Sequence, residues 1–224
     1  MIGSLVKKYC DSESLAEFLG AFTLLFVGAG FVVVSGGANI VGVALAHGLA
    51  IATMVAAFGY ISGAVFNPAL TIALWSIGKL DGLKSIKYIV SQLSGAIVGF
   101  LAVKMLLLRE ASMANLAVPA LNDALSMVEG VFIEAILTFF LMIVILSVID
   151  ENGPSQIAGL IIGLVIAMDI FAGGALTGAA MNPARAFGPA LLEGNWDNHI
   201  VYWVGPILGA VVAALAHKYV LDKK

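Results

Sequence analysis

Charge and cysteine are what this chain of 224 residues has least of. Cys10 is its one cysteine, so neither a disulfide framework nor a multi-cysteine metal site is open to it. Only 11% of the residues are charged, against about 25% in soluble domains, which leaves too little polar surface for a fold bathed in water. The net charge of −3 offers no basic face, and so no nucleic-acid partner is expected. There is no Ser/His/Asp set, no histidine-rich cluster and no phosphate-cradling glycine loop, so neither an enzyme, a metal site nor a cofactor is expected. No apolar run with a cleavage site precedes the first long hydrophobic stretch, which therefore reads as a retained anchor. What the chain has instead is apolar residues, at 61%, with a mean hydropathy of +1.06. These values predict an all-α integral membrane protein.

A membrane helix takes about 20 mostly apolar residues. Six stretches qualify: Leu15–Val34, Ile40–Tyr60, Ile86–Leu108, Met127–Ile149, Gln156–Gly174 and Ile200–Leu221. A second pattern runs across them. Ser62-Gly63-Ala64-Val65-Phe66-Asn67-Pro68-Ala69 is echoed by Thr177-Gly178-Ala179-Ala180-Met181-Asn182-Pro183-Ala184, at an offset of 115. The same offset pairs Gly48-Leu49 with Gly163-Leu164 and Gly59 with Gly174, which predicts an internal duplication. The chain is read as one channel-sized domain, 1–224, with repeat one at about 12–112 and repeat two at about 125–222. Three spans per repeat is an odd number. The second repeat must therefore enter from the opposite face, giving inverted repeats of the kind transporters use.

Six spans put both termini on one side of the bilayer. That side collects Lys7, Lys8, Lys79, Lys84, Lys87, Lys218, Lys223 and Lys224, while the other receives Lys104, Arg109 and Arg185. The bias predicts cytoplasmic termini, and the plasma membrane is the expected location.

Asn67–Ile77 and Asn182–Leu192 are apolar but span only about half a bilayer at 1.5 Å per residue. Each opens with Asn-Pro, an N-cap followed by the residue favoured at the first helical position. They are predicted as two re-entrant half-helices starting near the midplane. Non-helical backbone at that depth is tolerated only inside protein or beside a watery cavity. Two helix N-termini facing each other there would bring two positive dipole ends together, repelling hydronium and cations. Asn67 and Asn182 would aim amide N–H groups at a passing water while their carbonyls bond backbone.

Two Asn-Pro-Ala half-helices on inverted three-span repeats, with Arg185 directly after the second, resemble the aquaporin (major intrinsic protein) family. Ala16-Glu17-Phe18-Leu19-Gly20, Gln92, Glu134, and Ser62-Gly63 with Thr177-Gly178 add to the likeness, which covers nearly the whole chain. The resemblance implies six membrane helices plus two half-helices, a homotetramer with one pore per subunit, and a passive water channel of prokaryotic or archaeal type. It implies pore motifs at Asn67, Pro68, Ala69, Asn182, Pro183 and Ala184. It also implies a second constriction on the outer side, carried onto His47, Ile170, Ala179 and Arg185. That set departs from the strict water-channel pattern, since the histidine sits on span two and span five offers Ile170; it is similar to the plant vacuolar branch. Water is then the first solute, with ammonia and hydrogen peroxide as further candidates. Glycerol ranks last, because Ala186 stands where glycerol facilitators carry Asp. Glu17, Glu134 and Gln92 resemble the buried polar residues that hold the re-entrant loops. The competing reading is an ion- or proton-coupled transporter working through Glu17, Glu134 or Asp169, since ionisable residues inside a membrane are functional by default. Asp169 has three open readings: a partner of Lys104 or Arg109, a subunit contact, or a pocket lining.

Overall fold

The computed structural model describes residues 11–107 and 115–221. Cys10, Lys7, Lys8, Arg109, Lys223 and Lys224 lie outside the described residues. Among the described residues, six helices are long and apolar enough to cross a membrane: α1 (Ser12–Val34), α2 (Ile40–Ser62), α4 (Gly82–Leu106), α5 (Met127–Val148), α6 (Ser155–Thr177) and α8 (Val201–Leu221). Two short helices complete the set, α3 (Pro68–Ser76) and α7 (Pro183–Glu193). No strand occurs among the described residues.

Helix ends explain where the spans outrun the apolar windows. Asp11 accepts from the Ser14 backbone N–H and Asp81 from that of Lys84, so α1 and α4 begin several residues before their hydrophobic stretches. Ser126 and Glu129 form a reciprocal capping box at the start of α5. At the other ends, Gly63 (φ 84°) and Gly178 (φ 81°) take the left-handed conformation that stops α2 and α6, each later than hydropathy alone suggests.

The two repeats pack alike. α1 lies against α4 as α5 lies against α8, and α2 meets α6 between them. Each half-helix leaves its own repeat and packs on the last span of the other: α3 on α8, and α7 on α4. Glycines allow the close crossings. The carbonyl of Gly163 lies 2.5 Å from where a Gly48 Cβ would stand, and the Gly48 carbonyl blocks Gly163 in return. Gly95 and Gly99 press on the Phe18 and Phe22 backbone, while Gly205 and Gly209 press on that of Val131 and Ala135. Gly59/Gly63 and Gly174/Gly178 share that spacing but form no such crossing, because their second members end helices.

Candidate functional site

The re-entrant loops use backbone that their side chains would not suggest. Ala64 (φ 52°), Phe66 (52°), Ala179 (43°) and Met181 (51°) all sit in the left-handed region, at positions matched by the repeat offset. A non-glycine residue there costs energy, and four of them need something to hold them. Two buried acids do. Glu17 accepts from the Val65 N–H (3.0 Å), the Phe66 N–H (2.6 Å), the Ser62 hydroxyl (2.6 Å) and the Gln92 amide (2.7 Å). Glu134 accepts from the Ala180 N–H (2.9 Å), the Met181 N–H (2.7 Å) and the Thr177 hydroxyl (2.6 Å). Both acids are fully buried. Gln92 also donates to the Thr71 hydroxyl at 3.0 Å, tying Glu17 to α3; Pro206 and Ala186 occupy the matching places in repeat two, which lacks this tie.

Asn67 and Asn182 cap α3 and α7. The Asn67 carbonyl accepts from the Ala69 N–H at 2.9 Å, and that of Asn182 from the Ala184 and Arg185 N–H groups at 2.9 and 3.3 Å. Their amides cross over: Asn67 Nδ2 donates to the Met181 carbonyl (2.8 Å) and Asn182 Nδ2 to the Phe66 carbonyl (2.9 Å). One hydrogen of each amide is thus taken by the opposite loop, and the second remains for a passing molecule. Pro68 and Pro183 stand at the first helical positions, and Ala69 and Ala184 are fully buried behind them.

A cavity of about 650 Å³ runs along both asparagines. His47, Ile170, Ala179 and Arg185 line one part of it; Lys79, Tyr60 and Gln156 line its other end, on the side of the termini. Arg185 is buried, and its Nη1 donates to the Ala117 carbonyl at 3.0 Å. His47 Nδ1 lies 2.8 Å from the Val43 carbonyl, so Nδ1 carries the hydrogen. His47 is thus a backbone-bonded buried histidine and a lining residue at once. Glu17, Glu134 and Asp169 do not line the cavity.

Two of the readings of Asp169 are corrected, the pocket lining and the pairing with Lys104. It is buried, off the cavity, and its Oδ2 has no hydrogen-bond partner among the described residues. Lys104 does not reach it; that ammonium lies 3.3 Å from Glu193 and donates to the Leu192 carbonyl at 2.6 Å. Arg109 lies outside the described residues.

Two pairs escape inspection of the sequence, since both lie at an offset of 114, one short of the 115 that relates the re-entrant loops. The Tyr88 hydroxyl donates to the Ser62 carbonyl (2.8 Å), and the Tyr202 hydroxyl to the Thr177 carbonyl (2.9 Å). Lys104 reaches the Leu192 carbonyl at the C-terminal end of α7, while Lys218 reaches the Ile77 carbonyl at that of α3, at 3.0 Å. A cation there stabilises the negative end of the helix dipole. Both lysines are partly solvated, so Lys218→Met is expected to cost no more than about 1 kcal/mol, with Lys218→Arg retaining most of it. Thermal unfolding in detergent checks this, and a Lys104→Met variant should behave alike.

Comparison with known proteins places these observations. The family model for "Major intrinsic protein" matches residues 5–217. Aquaporin TIP4-4 of Zea mays is 37% identical over 93% of this chain and 86% of that protein. Aquaporin AqpM of Methanothermobacter marburgensis is 38% identical over 93% of this chain and 97% of its own length. Among solved structures, the aquaglyceroporin from Plasmodium falciparum superposes with a TM-score of 0.86 at 31% identity, covering 94% of this chain and 96% of that one.

Proposed function

Because this chain belongs to the major intrinsic protein family, a family of membrane channels rather than enzymes, we propose that it is a water pore that also passes small neutral solutes and holds back protons and ions. The observation that carries this reading is one continuous cavity lined by Asn67 and Asn182 together with His47, Ile170, Ala179 and Arg185, and by no acidic residue. In it the two half-helix N-termini and the Arg185 guanidinium present positive potential to whatever enters. The asparagine amides and the arginine supply donors; a water crossing between the asparagines accepts from both and turns its own hydrogens outward, which interrupts a proton wire.

Ile170 and Ala179 are apolar and modest in bulk, and Ala179 leaves the wall beside Arg185 open. Water therefore comes first, ammonia and hydrogen peroxide follow, and glycerol comes last. Glu17, Glu134 and Gln92 act as the scaffold that fixes the loops rather than as a proton path. The transporter reading needs a carboxyl group on the route, and the three membrane acids are buried away from it. The lysine bias supports cytoplasmic termini, and the apolar outer faces of the spans, with Leu45, Leu49, Leu160 and Phe171 exposed, suit lipid and neighbouring copies in a homotetramer.

Stopped-flow shrinkage of proteoliposomes under an impermeant osmolyte tests the proposal. Fast water flux with no proton leak under a pH gradient is the expected result. Flux that requires a proton gradient would restore the transporter reading.

A further inference from the structure

α1 is not a uniform helix. From Leu24 to Ala29 it widens into a π-turn, in which the Gly30 N–H reaches back to the Leu25 carbonyl. Such turns inside α-helices often sit at functional sites, because they re-aim one face of the helix. Here the face carries two residues one turn apart. Leu24 lines the cavity, and Gly28 backs onto the ring of His47. A Cβ on Gly28 would stand 2.6 Å from His47 Cδ2, 2.7 Å from Nε2 and 2.8 Å from Cγ, and those three ring atoms are the nearest it would meet. The imidazole occupies the space that every other residue type would fill.

The ring is therefore held on two edges. Nδ1 is tied to the Val43 carbonyl on its own helix. The Cδ2–Nε2 edge lies against Gly28, where Nε2 finds no hydrogen-bond partner among the described residues. The side left open is the cavity, with Ile170 and Arg185 also on its wall. Carbon atoms in contact rest about 3.5–4.0 Å apart, so a single added methyl would require the ring to move by about 1 Å.

We propose that Gly28 is a specificity-determining residue: by giving up its side chain it lets His47 lie back against α1, and so sets the free width of the constriction for neutral solutes larger than water. The inference rests on the cavity being the conducting path. It concerns size rather than charge, since neither Gly28 nor the displaced ring edge changes the number of cations at the constriction.

The experiment is a two-by-two set in proteoliposomes: the parent, G28A, H47A and the G28A/H47A double variant, each checked for folded oligomer by size exclusion. Water permeability and formamide permeability are measured on each. G28A is expected to lower water flux and to lower formamide flux by a larger factor, because formamide is the wider solute. In the H47A background the same substitution is expected to change neither flux, because the atoms it displaces are gone. Equal losses in both backgrounds would mean a general packing defect and would overturn the proposal. So would a folded G28A with the parent's fluxes. Absence of water flux in the parent would instead strike at the channel reading itself, which keeps the two failures apart.

Discussion

Glu134→Ala is expected to leave a protein that neither conducts water nor survives mild heating in detergent. The side chain is fully buried and takes three donors, two of them backbone N–H groups of the second re-entrant loop. Alanine would strand those donors where water does not reach. Each stranded donor costs about 1–3 kcal/mol. Total stabilities run near 5–15 kcal/mol, so the loss is a large share of what holds the fold. The loop would fail first, because Ala179 and Met181 sit in left-handed backbone that the carboxyl group holds in place. Glu134→Gln keeps one acceptor oxygen and should fall between the two. Melting temperature and osmotic water flux, measured on both variants, check the order. Glu134→Ala with parental stability would remove the scaffold reading.

The second large effect belongs to Arg185, and its sign is opposite: function is broadened rather than lost. Arg185→Ala removes a buried positive charge from the cavity wall and the bond to Ala117. A unit charge about 4 Å from a passing cation contributes about 4 kcal/mol of repulsion at an effective dielectric constant near 20. Losing it should raise proton and cation leak by up to about three powers of ten. Water flux should persist, and the wider opening should admit formamide and glycerol more readily. Proton leak under a pH gradient, read with a vesicle-trapped dye, decides the matter. An Arg185→Ala variant with parental tightness would assign the whole of ion exclusion to the half-helices.

Much of this architecture is written locally. Hydropathy gives six spans because lipid demands long apolar runs, and Asn-Pro gives the half-helix starts because capping is a short-range event. The left-handed residues Ala64, Phe66, Ala179 and Met181 carry no local signal, since their conformation is imposed from outside by Glu17 and Glu134. Gly28 reads as one more small membrane residue until the His47 ring is seen against it. Lys104 and Lys218 enter the sequence reading only as charges counted on opposite sides of the bilayer, yet each also bonds the end of a half-helix from the other repeat. An offset of 114, one short of that between the loops, relates that last pair and Tyr88 with Tyr202. Asp169 shows the converse. An acid inside a span invites a functional role, but Asp169 is buried off the cavity.

The exchange of half-helices between repeats has a consequence for how the chain is made. α3 rests on α8, and the Ile77 carbonyl waits for an ammonium 141 residues further along. At about 5–20 residues per second, the ribosome delivers that lysine roughly 7–28 seconds after Ile77 itself. During that interval the first loop already has Glu17 and Gln92 to bond, but its half-helix lacks the α8 side of its seat. The pore is thus closed around its axis by the last stretch to be synthesised, and a polypeptide released before α8 would hold five spans and no finished passage.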